Sequence, residues 1–490
     1  MLERLHRDTT RRRRTWFPRS AALREARALA ALTAPLTMAS LASMGISITD
    51  VVMMGWLGPA HLAAGAVTSD AYSIVFYLAA GVLAAVAPMV AHARGAGRTG
   101  EVGAIVHQGL WAAALLALPG AALVWSSPRL LAILGVADDV VVLAAPYARW
   151  MAVAFVAMTG VALMRQTLAA VGRPRVFFLV TLATLPLNAL GNWALMFEHG
   201  RFAGLGLAGA GASSALASTF MLTTLLATAR CGRGLRPLGL LRGRFAPDPT
   251  RLREMFAIGL PIGVASLGET GVFLFSTLLA GVLGTEALAA HAVALRCAGV
   301  LYALPLGLSQ AATVRVGLGA GAGRPHRVLR TANAAFATMA LCGAATLLAV
   351  ALLRRPIAEL FLGSSAAVGE AAPVLTAATI LLLVLAVQSP IDALATVSAG
   401  CLRGLKDTRV PMVLSLLGYW GLGFGPALLL AFVAGLGVLG LWLGLATGSI
   451  AVSAALLLRW RSATHGLRGS SAAAVVRVVP ATARRSSAAA

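Results

Sequence analysis

Four acidic side chains stand inside long apolar stretches of the sequence: Asp50, Asp70, Glu269 and Asp392. A charge at the middle of a bilayer costs roughly 2.5–3.5 kcal/mol on insertion scales, so an acid placed there needs a function or a partner. Glu269 lies halfway along its apolar segment, and Asp392 closely follows Pro390, where a proline frees backbone carbonyls that a cation can use. The pattern predicts a cation-binding site. The competing interpretation of each acid is a salt bridge or a helix-end cap.

Other polar residues in the apolar segments are candidate companions of these acids. Arg296 is a candidate partner for Glu269, although its side chain can also face elsewhere or extend toward the membrane surface. Asn188 and Asn192 lie on one face of a helix, because residues four apart are neighbours on the helix surface. Two amides beside a proline can hydrogen-bond a substrate, hold water or simply join two helices. We treat them as a candidate polar site, with Asp70 and Arg296 as weaker candidates.

Long apolar segments carry these residues. Of the 490 residues, 59% are hydrophobic and 12% are charged, whereas a soluble domain has roughly 25% charged residues. About 20 helical residues cross a hydrocarbon layer of about 30 Å, and the runs do not alternate as the strands of a membrane barrel do. The sequence therefore predicts an all-α integral membrane protein. Its twelve transmembrane segments are expected at 28–54, 62–91, 104–124, 141–169, 177–197, 205–229, 256–281, 289–314, 331–353, 373–401, 411–433 and 436–460.

Basic residues alternate between the connections of these segments. Connections that contain Arg or Lys occur at 94–98, 173–175, 230–253, 324–330 and 403–409, whereas 55–61 and 282–287 contain neither. Short loops rich in Lys and Arg stay on the cytoplasmic side of a membrane. We therefore expect a multi-pass protein of the cell membrane with both termini in the cytoplasm.

The two halves of the chain contain a repeated pattern. A shift of 226 positions brings Pro35 onto Pro261, Leu57-Gly58 onto Leu283-Gly284, and Gly95-Ala96-Gly97-Arg98 onto Gly321-Ala322-Gly323-Arg324. This pattern predicts two six-helix lobes related by a parallel internal repeat around a central cavity. The same shift puts Glu269 opposite Ser43 and Asp50 opposite Ser276, so the halves should differ in role. The expected parts are a basic cytoplasmic tail at 1–27, an N-terminal lobe at 28–229, a basic linker at 230–255, a C-terminal lobe at 256–460 and a cytoplasmic tail at 461–490.

Several classes of function are disfavoured. The net charge of +23 is divided among the connections and does not form one patch, which argues against a nucleic-acid partner. The four cysteines are scattered, with no CxxC pair, so neither a disulfide nor a zinc site is expected. A membrane-embedded enzyme would need a His/Asp or Ser/His pair near an interface, and the sequence offers none. We expect no enzymatic activity and no cofactor.

The order of motifs identifies a family. In the N-terminal half the motifs are Pro35, Ile48-Thr49-Asp50-Val51-Val52-Met53-Met54-Gly55 and Pro88-Met89-Val90-Ala91. In the C-terminal half they are Gly259-Leu260-Pro261-Ile262, Glu269, Ala289-Ala290-His291-Ala292-Val293-Ala294-Leu295 and Pro390-Ile391-Asp392-Ala393. Together they resemble the multidrug and toxic compound extrusion family, and specifically its branch named for norfloxacin efflux. The likeness extends over about residues 28 to 460.

The resemblance implies a set of site residues and a coupling mechanism. Members of this family have two six-helix lobes around a central cavity and export substrates against sodium or proton entry. The acids of the branch's C-terminal lobe match Glu269 and Asp392, and the family's N-terminal polar site matches Asp50, Asn188 and Asn192. The chain departs from the family pattern at Arg296 and Asp70.

We therefore expect a secondary active antiporter that exports organic cations or drugs in exchange for H⁺ or Na⁺. Glu269 and Asp392 would hold either the coupling ion, with Na⁺ as one candidate, or the substrate, so that the two compete during alternating access. The expected partners are small amphiphilic cations and the lipid bilayer, and we expect a monomer. Two alternatives remain open: a channel, and a related two-lobe flippase for lipid-linked precursors. A flippase would favour a basic cavity, and Arg296 keeps it in consideration.

Overall fold

The computed structural model describes residues 19–198, 203–232, 235–241, 245–362 and 372–468. Regular structure in these ranges is helical throughout, and twelve helices are long and apolar enough to cross a membrane. They are α1 Arg19–Trp56, α2 Pro59–Gly95, α3 Glu101–Ile133, α4 Asp138–Ala170, α5 Pro174–Met196, α6 Leu207–Cys231, α7 Pro249–Val282, α8 Thr285–Gly321, α9 Pro325–Leu362, α10 Ala372–Gly404, α11 Arg409–Val433 and α12 Gly437–His465.

Each predicted segment falls on one of these helices, so the all-α membrane architecture with twelve spans is confirmed. The helices continue beyond the apolar segments most at the start of α1 and at the ends of α3 and α9. In α9 the extension carries an ion pair between Arg355 Nε and Glu359 Oε1 at 2.8 Å, a spacing that supports a helix outside the apolar layer. Of the two predicted tails, at 1–27 and 461–490, the parts 1–18 and 469–490 lie outside the described residues.

Sequence signals account for several helix ends. Proline occupies the first turn of α2, α5 and α7, where its missing N–H and fixed φ cost nothing. In front of α7, Asp248 Oδ1 accepts hydrogen bonds from the backbone nitrogens of Thr250 at 2.9 Å and Arg251 at 3.2 Å, as an N-cap does. Helix α7 therefore begins within the predicted linker, which also contains a short 3₁₀ turn at Arg236–Leu238.

Two helices depart from regular α geometry. Helix α2 consists of Pro59–Leu83 and Val86–Gly95 with a break between them. Helix α11 alternates between α-helical pieces and π-helical stretches at Leu417–Phe424 and Leu429–Val433. Such stretches are rare and often occur at functional sites. The first one contains Tyr419, which faces the central cavity described below.

Glycines at equivalent positions of the predicted repeat share unusual backbone conformations. Gly58 and Gly284 precede α2 and α8 with φ values of 112° and 117°. After the same helices, Gly97 and Gly323 have φ values of 78° and 64°. Residues with a Cβ rarely adopt these values, so the glycines of both halves meet the same local requirement. This agreement supports the predicted repeat.

Each half packs mainly on itself, but the first helix of each half also contacts the other half, and one buried cluster joins α2–α6 with residues of α1, α7 and α8. The main cores are formed by α2–α6 and by α8, α9, α10 and α12. Helix α1 packs against α5 and α8, while α7 packs against α2 and α11. At the α2–α7 crossing, Gly81 and Gly263 bring the two backbones so close that neither has room for a Cβ. The boundary between the halves therefore depends on residues without side chains.

Hydrogen bonds and ion pairs between helix termini lie at one end of the bundle. Glu25 near the start of α1 accepts hydrogen bonds from Arg315 Nε at 2.6 Å and Thr331 Oγ1 at 2.7 Å. Lys406 Nζ lies 2.7 Å from a carboxylate oxygen of Glu254 at the start of α7. This is the end that carries the basic connections, and we call it the Arg-rich end.

We predict that fusions of a topology reporter at positions 240 and 470 both report a cytoplasmic location, because the connections at the Arg-rich end carry the positive charge that stays inside. Alkaline phosphatase and green fluorescent protein fusions give opposite signals and so check each other. A periplasmic signal at either position would contradict the orientation.

We predict that Gly81→Ala lowers the melting temperature of the purified protein. Alanine is intrinsically better than glycine in a helix by roughly 0.5–1 kcal/mol, but its Cβ meets the Gly263 backbone, and overpacking typically costs about 1–3 kcal/mol. The matched control is Gly421→Ala in α11, where an added Cβ has no atom within 4 Å. That variant should melt at or above the wild-type temperature; equal melting of all three proteins would exclude the close crossing.

Candidate functional site

A cavity of about 650 Å³ lies between the two halves. Side chains of α1, α2, α4, α7, α8, α10 and α11 line it. Much of the wall is apolar or aromatic, including Phe76, Tyr77 and Phe273. A concave, mostly apolar site of this size with a few polar groups is typical of small-molecule binding.

Glu269 lines this cavity from α7. The side chain of Tyr302 on α8 lies close to this carboxylate and to Thr396 of α10. Glycines flank Glu269 at 268 and 271, which allows Trp420 of α11 to pack against this turn and to donate a hydrogen bond of 3.0 Å from Nε1 to Gly268 O. The helix therefore presents its carboxylate to the cavity from a turn that α11 holds in place.

Asp392 lines the same cavity from α10, two residues after Pro390, which lacks an N–H and so removes one backbone hydrogen bond from this helix. Gln388 and Ser449 are polar neighbours of its carboxylate, and Gln388 Nε2 donates to Ser449 Oγ at 3.1 Å. Within the described part of the chain, Asp392 Oδ1 and Gln388 Oε1 are buried and have no hydrogen-bond partner. Buried polar atoms are normally satisfied, so these two oxygens are available to a proton or a cation.

Asp50 belongs to a different cluster, between α1, α5 and α6. Its Oδ1 accepts a 2.6 Å hydrogen bond from Asn192 Nδ2, and Asn188 lies close by with its own Nδ2 buried and without a hydrogen-bond partner among the described residues. Both amide side chains are fully buried, and Ser213 Oγ donates to the backbone oxygen of Asn188 at 3.0 Å. The three predicted N-terminal residues are therefore brought together. The side chains that line the cavity do not include them.

Asp70 and Arg296 lie outside this arrangement. Both residues are exposed, and the acid on which the Arg296 charge acts is Asp70. Glu269 instead feels the charge of Arg403, from the last turn of α10. The residues of α8 that face the cavity recur at Leu295, Ala298 and Gly299, Tyr302, Leu306 and Gln310. Arg296 is one position off this stripe, which is why it does not reach Glu269.

Comparison with known proteins agrees with this arrangement. The MatE family model matches residues 35–194 and 261–429, one block in each half. This chain belongs to the MatE family. A relative from Burkholderia mallei named "Probable multidrug resistance protein NorM" is 38% identical over 482 residues, covering 93% of this chain and 98% of the relative. A relative of the same name from Mesorhizobium japonicum is 35% identical over 442 residues, covering 89% and 93%.

Solved structures of the family share the fold. A eukaryotic MATE transporter superposes with a TM-score of 0.79 at 21% identity, covering 93% of this chain and 99% of that one. An outward-facing multidrug resistance MATE family transporter superposes with a TM-score of 0.81 at 19% identity, covering 91% and 97%. Together with the twelve apolar helices, the family identifies a multi-pass membrane protein.

The structure adds cavity residues to this MatE site that sequence reasoning missed. Tyr302, Tyr419 and Gln310 bring polar groups to the cavity wall, and Arg165 and Arg403 bring cations. The stripe on α8 was a usable signal for Tyr302 and Gln310, since it follows helical spacing. Arg403 was counted with the basic connection at 403–409, but it belongs to α10 and faces the cavity. Arg165, inside the fourth apolar segment, was open to the same argument as the acids.

We predict that the Asp50–Asn192 contact is energetically coupled. Asn192→Ala should lower the melting temperature, because a buried carboxylate that loses its donor costs about 1–3 kcal/mol or more. Once Asp50 is also replaced by alanine, the Asn192→Ala change should lower the stability much less. The interaction free energy between the two side chains should be about 0.5–3 kcal/mol. The four proteins of this double-mutant cycle are compared by thermal unfolding.

The control for this cycle is Asp70→Ala, which removes an exposed acid from the same half. It should leave the melting temperature near the wild-type value and behave additively with Asn192→Ala. Additive behaviour of Asp50→Ala and Asn192→Ala would show that the contact carries no stability of its own.

Proposed function

We propose that this MatE chain is a secondary active antiporter that exports organic cations or drugs in exchange for H⁺ or Na⁺. The observation that carries the proposal is the pair Glu269 and Asp392 on the wall of a largely apolar cavity between two packed halves. The names of the relatives, probable multidrug resistance proteins, support export of drugs. We also propose that the chain acts as a monomer, without a cofactor or enzymatic activity.

A lipophilic cation fits the chemistry of this cavity. Its apolar body would lie against side chains such as Phe76 and Phe273, whose burial from water stabilises it. Aromatic faces also attract cations, by roughly 0.5–2 kcal/mol. Its charge would be offset by the carboxylates of Glu269 and Asp392, whose attraction for cations is strengthened by the low dielectric constant of the site. Affinity and charge selectivity would thus come from different groups.

Exchange follows when the coupling ion and the substrate need the same carboxylates. A carboxylate that holds H⁺ or Na⁺ has lost the charge that attracts an organic cation, so one occupant displaces the other. Transport also requires the cavity to open alternately toward the two sides of the membrane. At the Arg-rich end the halves are joined by His92 Nε2 and Gly404 O at 2.8 Å and by the close packing of Gly95 against Leu318. These contacts would separate when the cavity opens toward that end.

The identity of the coupling ion depends on which oxygen atoms are available. Among the described residues no group of three or more His, Cys, Asp or Glu side chains is suited to hold a metal ion. A Na⁺ ion at Glu269 and Asp392 would therefore need amide or hydroxyl oxygens as well, and Gln388 Oε1 is one that has no hydrogen-bond partner. A proton needs only a carboxylate oxygen. We propose that Asp50, with Asn188 and Asn192, forms a second ion-responsive group in the other half.

A flippase for lipid-linked precursors is the second candidate. The observation in its favour is that Arg165 and Arg403 both line the cavity, since a pyrophosphate needs cations. The acids that line the same cavity disfavour it, because a carboxylate repels a phosphate. Turnover of a lipid-linked precursor by the purified protein in liposomes, with dye export at background, would favour the flippase.

We predict that expression of the chain in a pump-deficient bacterium lowers the accumulation of ethidium, and that Glu269→Gln abolishes this effect. Glutamine keeps the shape and hydrogen bonding of the side chain but cannot ionise. The initial rate of gradient-driven export in proteoliposomes should fall by more than about tenfold, which corresponds to 1.4 kcal/mol. Imposing H⁺ and Na⁺ gradients separately identifies the coupling ion.

The matched control is Glu286→Gln, which removes an exposed acid at the start of α8. It should export ethidium at the wild-type rate. The Glu269→Gln protein should insert and fold normally, because removal of a charge from the membrane interior does not oppose insertion. Normal export by well-expressed Glu269→Gln protein would remove Glu269 from the coupling mechanism.

A further inference from the structure

Helices α2 and α8 occupy equivalent places in the two halves. The shift of 226 positions carries the bounds of α2, Pro59–Gly95, onto those of α8, Thr285–Gly321. It also carries cavity-lining residues of one helix onto cavity-lining residues of the other. Examples are Phe76, Tyr77 and Ala84 of α2, which correspond to Tyr302, Ala303 and Gln310 of α8. Both helices therefore present the same face to the cavity, as expected for a parallel repeat with its axis along the membrane normal.

The same shift carries Asp70 onto Arg296. Asp70 precedes Tyr77 by seven residues, Arg296 precedes Ala303 by seven, and residues seven apart lie on one face of a helix. Each charge therefore lies at the edge of the cavity-facing side of its helix, two turns farther from the Arg-rich end. The acid and the cation are thus at one depth on opposite sides of the axis, and the charge of Arg296 acts on Asp70.

The halves are joined near the Arg-rich end and are apart at the level of these two charges. The close crossing of Gly81 with Gly263 lies eleven residues beyond Asp70 toward the Arg-rich end. Tyr77, between the two levels, lines the cavity and is still 42% exposed. Asp70 and Arg296 are exposed as well, and in the described part of the chain neither forms an ion pair. The two charges therefore lie unpaired in an opening of the cavity.

The depth of the two positions makes an unpaired charge unfavourable once this opening closes. Each lies eleven residues, or about 16 Å, from the start of a helix of 37 residues, which is about 55 Å long. A hydrocarbon layer of about 30 Å centred on such a helix begins about 12 Å from its end, so both charges lie inside the layer. Water solvates them while the opening exists. When the halves meet and expel the water, each charge needs a partner of opposite sign.

Opposite signs at equivalent positions meet this need. Identical charged residues in both halves would bring two like charges together at the axis and oppose closure. We propose that Asp70 and Arg296 are a gate pair, which forms an ion pair across the axis when the halves close at the end opposite the Arg-rich end. The pair stabilises the state in which contacts of the Arg-rich end, such as His92 Nε2 with Gly404 O, are separated. This inference rests on the proposed function, because alternating access supplies that state.

Reversal and exchange of the two charges test the gate pair. Asp70→Arg leaves two arginines at the axis and Arg296→Asp leaves two acids, so either change alone should oppose closure. We expect each to lower the initial rate of gradient-driven ethidium export in proteoliposomes by about tenfold or more, because adjacent like charges repel strongly. The double variant, Asp70→Arg with Arg296→Asp, restores opposite signs and should export within about threefold of the wild-type rate.

Two controls make this result specific. Glu286→Arg makes the same charge reversal at an exposed acid near the start of α8, and it should export ethidium at the wild-type rate. If a charge reversal does not fold, as judged by gel filtration and thermal melting, Asp70→Asn and Arg296→Gln take its place. Each of these removes one partner without adding a like charge, and each should lower export by about threefold or more.

A distance measurement reports closure without transport. Spin labels are attached at Ala60 and Glu286, which are exposed and equivalent under the repeat, after both are replaced by cysteine in a full-length protein whose four native cysteines are replaced by alanine. Double electron–electron resonance in lipid nanodiscs should give a long distance for the open state and a shorter one for the closed state. Arg296→Asp should lower the ratio of short to long distances by about fivefold or more, and exchange of both charges should restore it.

The outcomes separate the gate pair from the proposed function. Export that stays low in a folded double variant overturns the pair, as does a ratio of distances that Arg296→Asp leaves unchanged. Wild-type protein that exports no ethidium under either gradient would instead contradict the export of cations. Loss of the short distance in Arg296→Asp and its return in the double variant would still establish the pair in that case.

Discussion

The hydrocarbon interior of a membrane cannot solvate a charge, and this constraint determines where the polar groups of the chain lie. In a twelve-helix bundle, the remaining location for a charge at mid-depth is an internal cavity or a buried pair. Glu269, Asp392, Arg165 and Arg403 all line one cavity. Asp50 is held by the buried amide of Asn192 instead. The exceptions, Asp70 and Arg296, are exposed and close enough to influence each other.

The boundary between the halves has to satisfy two opposing requirements. It must be close enough to exclude lipid, yet its contacts must be able to separate. Crossings such as Gly81 with Gly263 achieve close approach through backbone surfaces, and small-residue contacts of this kind join membrane helices without interlocking side chains. Because α1 packs on α8 and α7 packs on α2, a change in the angle between the halves would move both of these helices relative to the cavity. The acid of α7 would then change its surroundings as the halves move.

The fold was predictable from the sequence. The geometry of the site was predictable only in part. Hydropathy locates twelve helices, because a segment in lipid must form its backbone hydrogen bonds within itself. The acids stand out in the sequence because a charge inside the membrane is costly. Hydropathy does not give the rotation of a helix about its axis. That rotation decides that Arg403 rather than Arg296 faces Glu269, and that Asp50 lies apart from the cavity. Arg165 carries the same sequence signal as the acids, but its hydrogen bond to Ser40 and its contact with the ring of Phe177 are visible only in three dimensions.

The charged side chains are distributed unequally over the walls of the cavity. Under the predicted repeat Glu269 corresponds to Ser43, which also lines the cavity but carries no charge, and Asp50 corresponds to Ser276, which is fully buried. The acids therefore belong to one wall, and the cation Arg165 belongs to the other. A coupling ion at the acids would neutralise one wall only and leave the field of Arg165 in place.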